Sequence, residues 1–105
     1  MVRGEVFRLR APRNVRGREQ RGARLGVIVQ ADEFLALSTV LVAPTSRSAQ
    51  PSFVRPTVEV GGEQARVMVE QTTAMDHGRL GRSVGRLSAH ELRSVDEALV
   101  LVLGL

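Results

Sequence analysis

The chain has 105 residues, 43% hydrophobic and 25% charged, with no cysteine, a length and mixture ordinary for one globular domain spanning 1–105. Without cysteine there can be no disulfide framework, thiolate metal site or thiol catalysis, which fits a reducing cytoplasm. The net charge of +4 is carried by arginine alone and is unevenly placed: residues 1–24 hold eight arginines against Glu5 and Glu19, while residues 25–105 hold seven against nine acids. GC-rich coding explains arginine in place of lysine but not the clustering, which is the electrostatic footprint of a phosphate-bearing partner or of a solvated basic loop. No apolar leader precedes the first strand pattern, and the longest apolar run, Ala98–Leu103, is far shorter than a membrane span. No membrane association is expected. A chain this short leaves much of its surface wet, so packing against a second copy would add burial, and a homodimer is plausible on that ground.

In chain order, residues 4–10 alternate, with Phe7 and Leu9 on one side and Arg8 and Arg10 on the other, which predicts a half-buried strand. Residues 11–23 contain the turn formers Pro12, Asn14, Gly17 and Gly22 among Arg13, Arg16, Arg18 and Arg21, and read as a long basic surface loop. Arg24–Gln30 and Ser38–Pro44 are apolar runs of the kind found in strands buried on both faces, with Asp32 and Glu33 in a surface turn between them. A polar loop follows from Pro44 to Ser52. Residues 53–60 and 65–71 then alternate around Gly61-Gly62-Glu63-Gln64, which predicts a hairpin. From Ser88 the period changes: Leu92, Val95, Leu99 and Val102 fall at helical spacing, and Ser88-Ala89-His90-Glu91 has the form of a capping box. Five short strands and one closing helix predict a mainly β, partly open barrel with the helix packed on one side.

Several motifs invite chemistry. Gly81-Arg82-Ser83-Val84-Gly85 matches the G-x-S-x-G nucleophile pattern. That motif works on a strand-to-helix turn of a large α/β sheet, with Asp and His following, and only 20 residues remain after Gly85. It reads instead as a glycine-rich turn before the helix. His77 and His90 lack the spacing of paired metal ligands and have no cysteine to complete a set, so each reads as a surface histidine and no metal or other cofactor is expected. Arg24, opening a strand after the basic loop, and Thr45, following the next buried strand, are individually ordinary surface residues.

The order of motifs resembles the MazF/PemK toxin family. Arg3-Gly4-Glu5-Val6 opens the first strand, followed by Gly17-Arg18-Glu19-Gln20-Arg21-Gly22-Ala23-Arg24, then Val27-Ile28-Val29-Gln30 and Val42-Ala43-Pro44-Thr45-Ser46. Val69-Glu70-Gln71 and Leu80–Ser88 complete the likeness, which covers nearly the whole chain. One departure is that Leu25 follows Arg24 where the family usually has proline. The resemblance implies an SH3-like barrel that dimerises, binds single-stranded RNA at the subunit interface and cleaves it without metal by attack of the substrate's own 2′-hydroxyl. It also implies a cognate antitoxin whose acidic segment competes with RNA. On this reading Arg24 stabilises phosphoryl charge and Thr45 hydrogen-bonds the scissile phosphate, with Ser46 beside it. Glu19 and Gln20 position the nucleotide, and Arg13, Arg16, Arg18, Arg21 and Arg47 contact flanking phosphates. With 3% aromatic residues and no Trp or Tyr, stacking platforms are scarce and base reading falls to backbone and polar groups.

The same barrel is shared by CcdB-type toxins, which bind DNA gyrase and cleave nothing. Those proteins resemble one another in a Trp-Gly-Ile ending, whereas this chain ends Leu103-Gly104-Leu105. The ribonuclease reading is therefore preferred over gyrase binding and over a non-catalytic RNA-binding relative.

Overall fold

A computed structural model of the chain describes residues 1–10 and 24–105. The basic segment with Arg13, Arg16, Arg18, Glu19, Gln20 and Arg21 lies outside the described residues. Among the described residues seven strands and one α-helix follow in order: β1 (Glu5–Leu9), β2 (Arg24–Ile28), β3 (Thr39–Ser46), β4 (Thr57–Val60), β5 (Glu63–Val67), β6 (Thr73–Asp76), β7 (Leu80–Arg86) and α1 (Ala89–Leu103). They form one antiparallel sheet in the order β4-β5-β3-β2-β1-β7, with β6 also paired to β3.

The curl of this sheet comes from β3, which changes partners along its length. Thr39–Val42 pair with β6, Val42–Pro44 with Ile28–Gly26 of β2, and Thr45 and Ser46 with Val67 and Arg66 of β5. Strands β5 and β6 follow the same edge of β3, separated by a 3-10 turn at Val69–Gln71, and the Met68 amide bridges to the Pro44 carbonyl at 2.8 Å. The result is a mainly β half-barrel closed at one side by α1, as the alternating pattern predicts.

Strand number and limits differ from the sequence reading. Residues 53–60 do not form one strand: Pro56 has no N–H to offer a ladder, and the Arg55 amide instead closes a turn on the Ser52 carbonyl at 3.0 Å, so β4 starts at Thr57. The predicted strand over 65–71 stops at Val67, and its last three residues, Val69–Gln71, form the 3-10 turn. Thr45 and Ser46 belong to β3 rather than to the loop after it. The glycine-rich motif is no turn: it lies inside β7, where pairing with β1 slips twice. Gly85 has φ +145°, and a Cβ on Gly81 would meet the Arg8 carbonyl at 3.1 Å, so these glycines serve a bulged strand. Ser83 of that motif donates to Glu5 Oε2 at 2.6 Å. The hairpin is as expected, a two-residue turn with Gly61 and Gly62 both at positive φ.

Both sheet faces are covered. Val6, Val27, Ala43, Val58 and Val67 pack beneath Val95 and Ala98 of α1, and Ile28, Val40, Val42, Met75 and Leu80 form a second cluster on the other face. Strand β1 therefore has no wholly wet face: Val6 enters the first cluster, while Phe7 and Leu9 pack on the second. Helix α1 begins with the expected capping box, in which Ser88 Oγ accepts from the Glu91 amide at 3.1 Å and Glu91 Oε1 accepts from the Ser88 amide at 2.8 Å. Glu91 Oε2 also accepts from the Glu59 amide at 2.8 Å, fastening the helix to β4, and Arg3 pairs with Asp96 at 2.7 Å.

Candidate active site

The pocket that gathers polar side chains is the mouth of the first core cluster. Side chains two residues apart on a strand share a face. On β1 the step from buried Val6 leads to Arg8; on β2, from Val27 to Leu25; on β3, from Ala43 to Thr45; and on β5, from Val67 to Ala65 and Glu63. The ladder pairs Val6 with Val27 and, one step outward, Arg8 with Leu25. These residues, with Ser46, Arg47, Val60 and Val84, line a cavity of about 240 Å³. Its floor is apolar and its rim carries two arginines, two hydroxyls and one carboxylate.

Arg47 and Glu63 pair across the rim at 2.9 Å, both largely exposed. Ser46 Oγ accepts from the Ser48 amide at 3.2 Å, which fixes the chain as it leaves β3. Thr45 is half-buried, and Arg8 is exposed without an ion pair among the described residues. Such a rim suits a phosphodiester: guanidinium groups supply forked donors to its oxygens and the hydroxyls add single hydrogen bonds.

Of the site residues expected from sequence, Thr45, Ser46 and Arg47 come together here. Arg24 is exposed at the first residue of β2, opposite Leu9 in the ladder. It adjoins pocket residue Leu25, but alternation places it on the face of Leu9 rather than among the described lining residues. Glu19, Gln20, Arg13, Arg16, Arg18 and Arg21 fall outside the described residues. Sequence reading missed Arg8 and Glu63. The signal for Arg8 was its place two residues after Val6, obscured because Phe7 and Leu9 looked like the sole inward set.

Away from the pocket, three carboxylates are held below their ordinary range. For Glu5 the main cause is the Ser83 hydroxyl, and for Glu70 it is the Arg55 guanidinium, which lies 2.7 Å away. Burial pushes Glu91 up, but the Ser88 and Glu59 amides outweigh it. Among the described residues no three His, Asp or Glu side chains gather as a metal site, and no helix is long and apolar enough to cross a membrane.

Comparison with known proteins bears on both fold and family. An endoribonuclease solved with its cognate antitoxin from a mycobacterial species superposes with a TM-score of 0.83 at 17% identity, over 100% of this chain and 96% of that one. The Mycobacterium tuberculosis toxin MazF-mt6 gives 0.78 at 19% identity, over 96% and 97%. At such identities these likenesses establish the fold alone. A protein of Mycobacterium tuberculosis strain H37Rv named "Putative toxin" is 36% identical over 106 residues, covering 100% of this chain and 99% of that protein. The family model for the PemK-like, MazF-like toxin of type II toxin-antitoxin systems matches residues 2–103. With sequence likeness from end to end and the curled sheet and closing helix of MazF structures, the chain belongs to the PemK/MazF toxin family.

Proposed function

We propose that the protein is a toxin endoribonuclease that cleaves single-stranded RNA. The observation that carries this reading is the pocket rim, where Arg8, Thr45, Ser46 and Arg47 converge in a member of this toxin family. The substrate's 2′-hydroxyl attacks the adjacent phosphorus, the bond from phosphorus to the 5′-oxygen breaks, and a 2′,3′-cyclic phosphate and a free 5′-hydroxyl result. The nucleophile belongs to the substrate, so the reaction needs no metal to generate one. Arginine at the rim stabilises charge growing on the phosphoryl oxygens and Thr45 donates a hydrogen bond to one of them. One proton must leave the 2′-oxygen and one must reach the 5′-oxygen; Glu63 is the one carboxylate among the described lining residues. Arg24, with Glu19, Gln20 and the arginines of segment 11–23, acts from the entrance to β2 on the reacting and flanking nucleotides.

The protein acts as a homodimer in the cytoplasm and is neutralised by an antitoxin. Support for a further interface is the apolar surface left open by Phe34, Leu37 and Leu41 and by Val100, Leu101 and Leu103 at the end of α1. Support for an antitoxin is the mycobacterial endoribonuclease solved with its own. The test is cleavage of total RNA in EDTA by the native chain, Arg24→Ala, Arg8→Ala and Thr45→Ala, with new 5′ ends assayed for a free hydroxyl. Cleavage by the native chain and its loss in Thr45→Ala is the expected result. Folded dimers that leave RNA intact would refute the enzyme and favour gyrase binding.

A further inference from the structure

Phe53 is 94% exposed, one of three phenylalanines in a chain without Trp or Tyr. Its position is fixed by its neighbours. The Arg55 amide donates to the Ser52 carbonyl at 3.0 Å and the Val54 amide to Ser52 Oγ at 3.3 Å. Arg55 also donates to the Gln50 carbonyl at 3.2 Å and pairs with Glu70 at 2.7 Å. The ring is thus displayed on a turn tied down on both sides.

Beside it, Pro51, Ser52, Phe53 and Arg66 wall a shallow, open concavity. Arg66 donates one N–H to the Arg55 carbonyl at 3.0 Å, and it has no ion pair among the described residues. Among the described residues no carboxylate lines this concavity. In the ladder Arg66 stands opposite Ser46 of the pocket rim, and residues so paired in an antiparallel sheet lie about 5 Å apart. Alternation puts Arg66 on the face of β5 opposite Ala65 and Glu63 of the pocket, so a strand of nucleic acid leaving the pocket reaches this cation, and the flat aromatic face beside it, by turning over Ser46 at the end of β3.

We propose that this concavity is a nucleobase subsite, in which a base of the bound RNA stacks on the Phe53 ring while Arg66 holds the adjoining phosphate. The inference rests on the proposed RNA substrate. A ring stacks on any base, so the subsite strengthens binding without demanding a sequence, and it supplies the stacking platform that the aromatic content alone made scarce. The lining among the described residues, one ring beside one guanidinium, matches a base and its phosphate.

The absence of tryptophan elsewhere makes the test direct. Phe53→Trp places a single tryptophan at the site, and its emission is followed while a single-stranded oligonucleotide with 2′-O-methyl riboses, lacking the attacking hydroxyl, is added. Stacking should quench that emission saturably, and Phe53→Ala should weaken binding of the same oligonucleotide by roughly 5- to 100-fold. Arg66→Gln should weaken it and flatten its dependence on salt. If the native chain binds and cuts RNA while Phe53→Trp emission stays unchanged and Phe53→Ala binds equally well, the subsite is refuted and the RNA reading stands. If the native chain binds no oligonucleotide, both fall. A change in Phe53→Trp emission on raising protein concentration, or on adding a purified antitoxin but not oligonucleotide, would assign the ring to a protein contact and overturn the proposal.

Discussion

Gly26 is the place where one added carbon should cost the fold most visibly. Gly26→Ala builds a Cβ 2.5 Å from Val42 Cγ1 and 3.0 Å from Leu9 Cδ2, whereas carbon atoms settle at about 3.5–4.0 Å. Leu9 can turn aside. Val42 is fully buried and branched at Cβ, so its χ1 is stiff and the strain passes to the backbone. That backbone is the β2–β3 ladder, in which Gly26 faces Pro44 beside the pocket residues Leu25 and Thr45. Overpacking of this kind costs about 1–3 kcal/mol, a large share of the roughly 5–15 kcal/mol that holds a domain folded. Val42→Ala alone removes two buried carbons and should cost about 2 kcal/mol, from some 0.8 kcal/mol per carbon plus a cavity. In the double variant the obstructing carbon is gone, so the loss should fall short of the sum by about 1 kcal/mol or more. Urea unfolding of the four proteins, followed by circular dichroism, measures each quantity. Losses that add within about 0.5 kcal/mol would refute the clash as the cause.

Other consequences are as direct. Ser88→Ala should lower stability by about 1 kcal/mol through loss of the helix cap, read as a lower urea midpoint with an unchanged slope. Arg8→Ala should reduce RNA cleavage by roughly 100-fold or more if its guanidinium stabilises the transition state, with circular dichroism unaltered; an unchanged rate would remove Arg8 from the mechanism. Glu5, Glu70 and Glu91 are all held below the ordinary 4.5. Their folded forms bind protons less readily than the unfolded chain, so the stability they add is present above pH 4.5 and is lost as pH falls through their folded values. Acid titration of the urea midpoint should show that loss, and Glu70→Gln should make it shallower.

Much of this fold was legible because the signals were local. Ser88 and Glu91 are three residues apart, so the cap could be read directly, and Gly61-Gly62 between alternating runs admitted few readings besides a hairpin. What stayed hidden depended on partners distant in sequence. Gly81 and Gly85 look like turn residues until β1 is seen lying against them, and Thr73–Asp76 is a strand because β3 offers it an edge. At the site, resemblance led to Thr45, Ser46 and Arg47, whose nearness follows from chain order. Arg8 and Glu63 reach the same rim only through the curl of β3, which no local pattern encodes.

The pairing of β1 with β7 sets Glu5 opposite Arg86, and the pocket draws Arg8 from the first strand and Val84 from the last. Closing so long a loop comes at an entropic cost before any contact rewards it. A chain emerging from the ribosome can therefore build the β1–β2, β2–β3 and β4–β5 ladders while the pocket still lacks its β7 wall. The pocket gains its last wall only when β7 pairs with β1 and brings Val84 to it. Pulse-labelled hydrogen exchange during refolding should find the β7 amides among the last to gain protection.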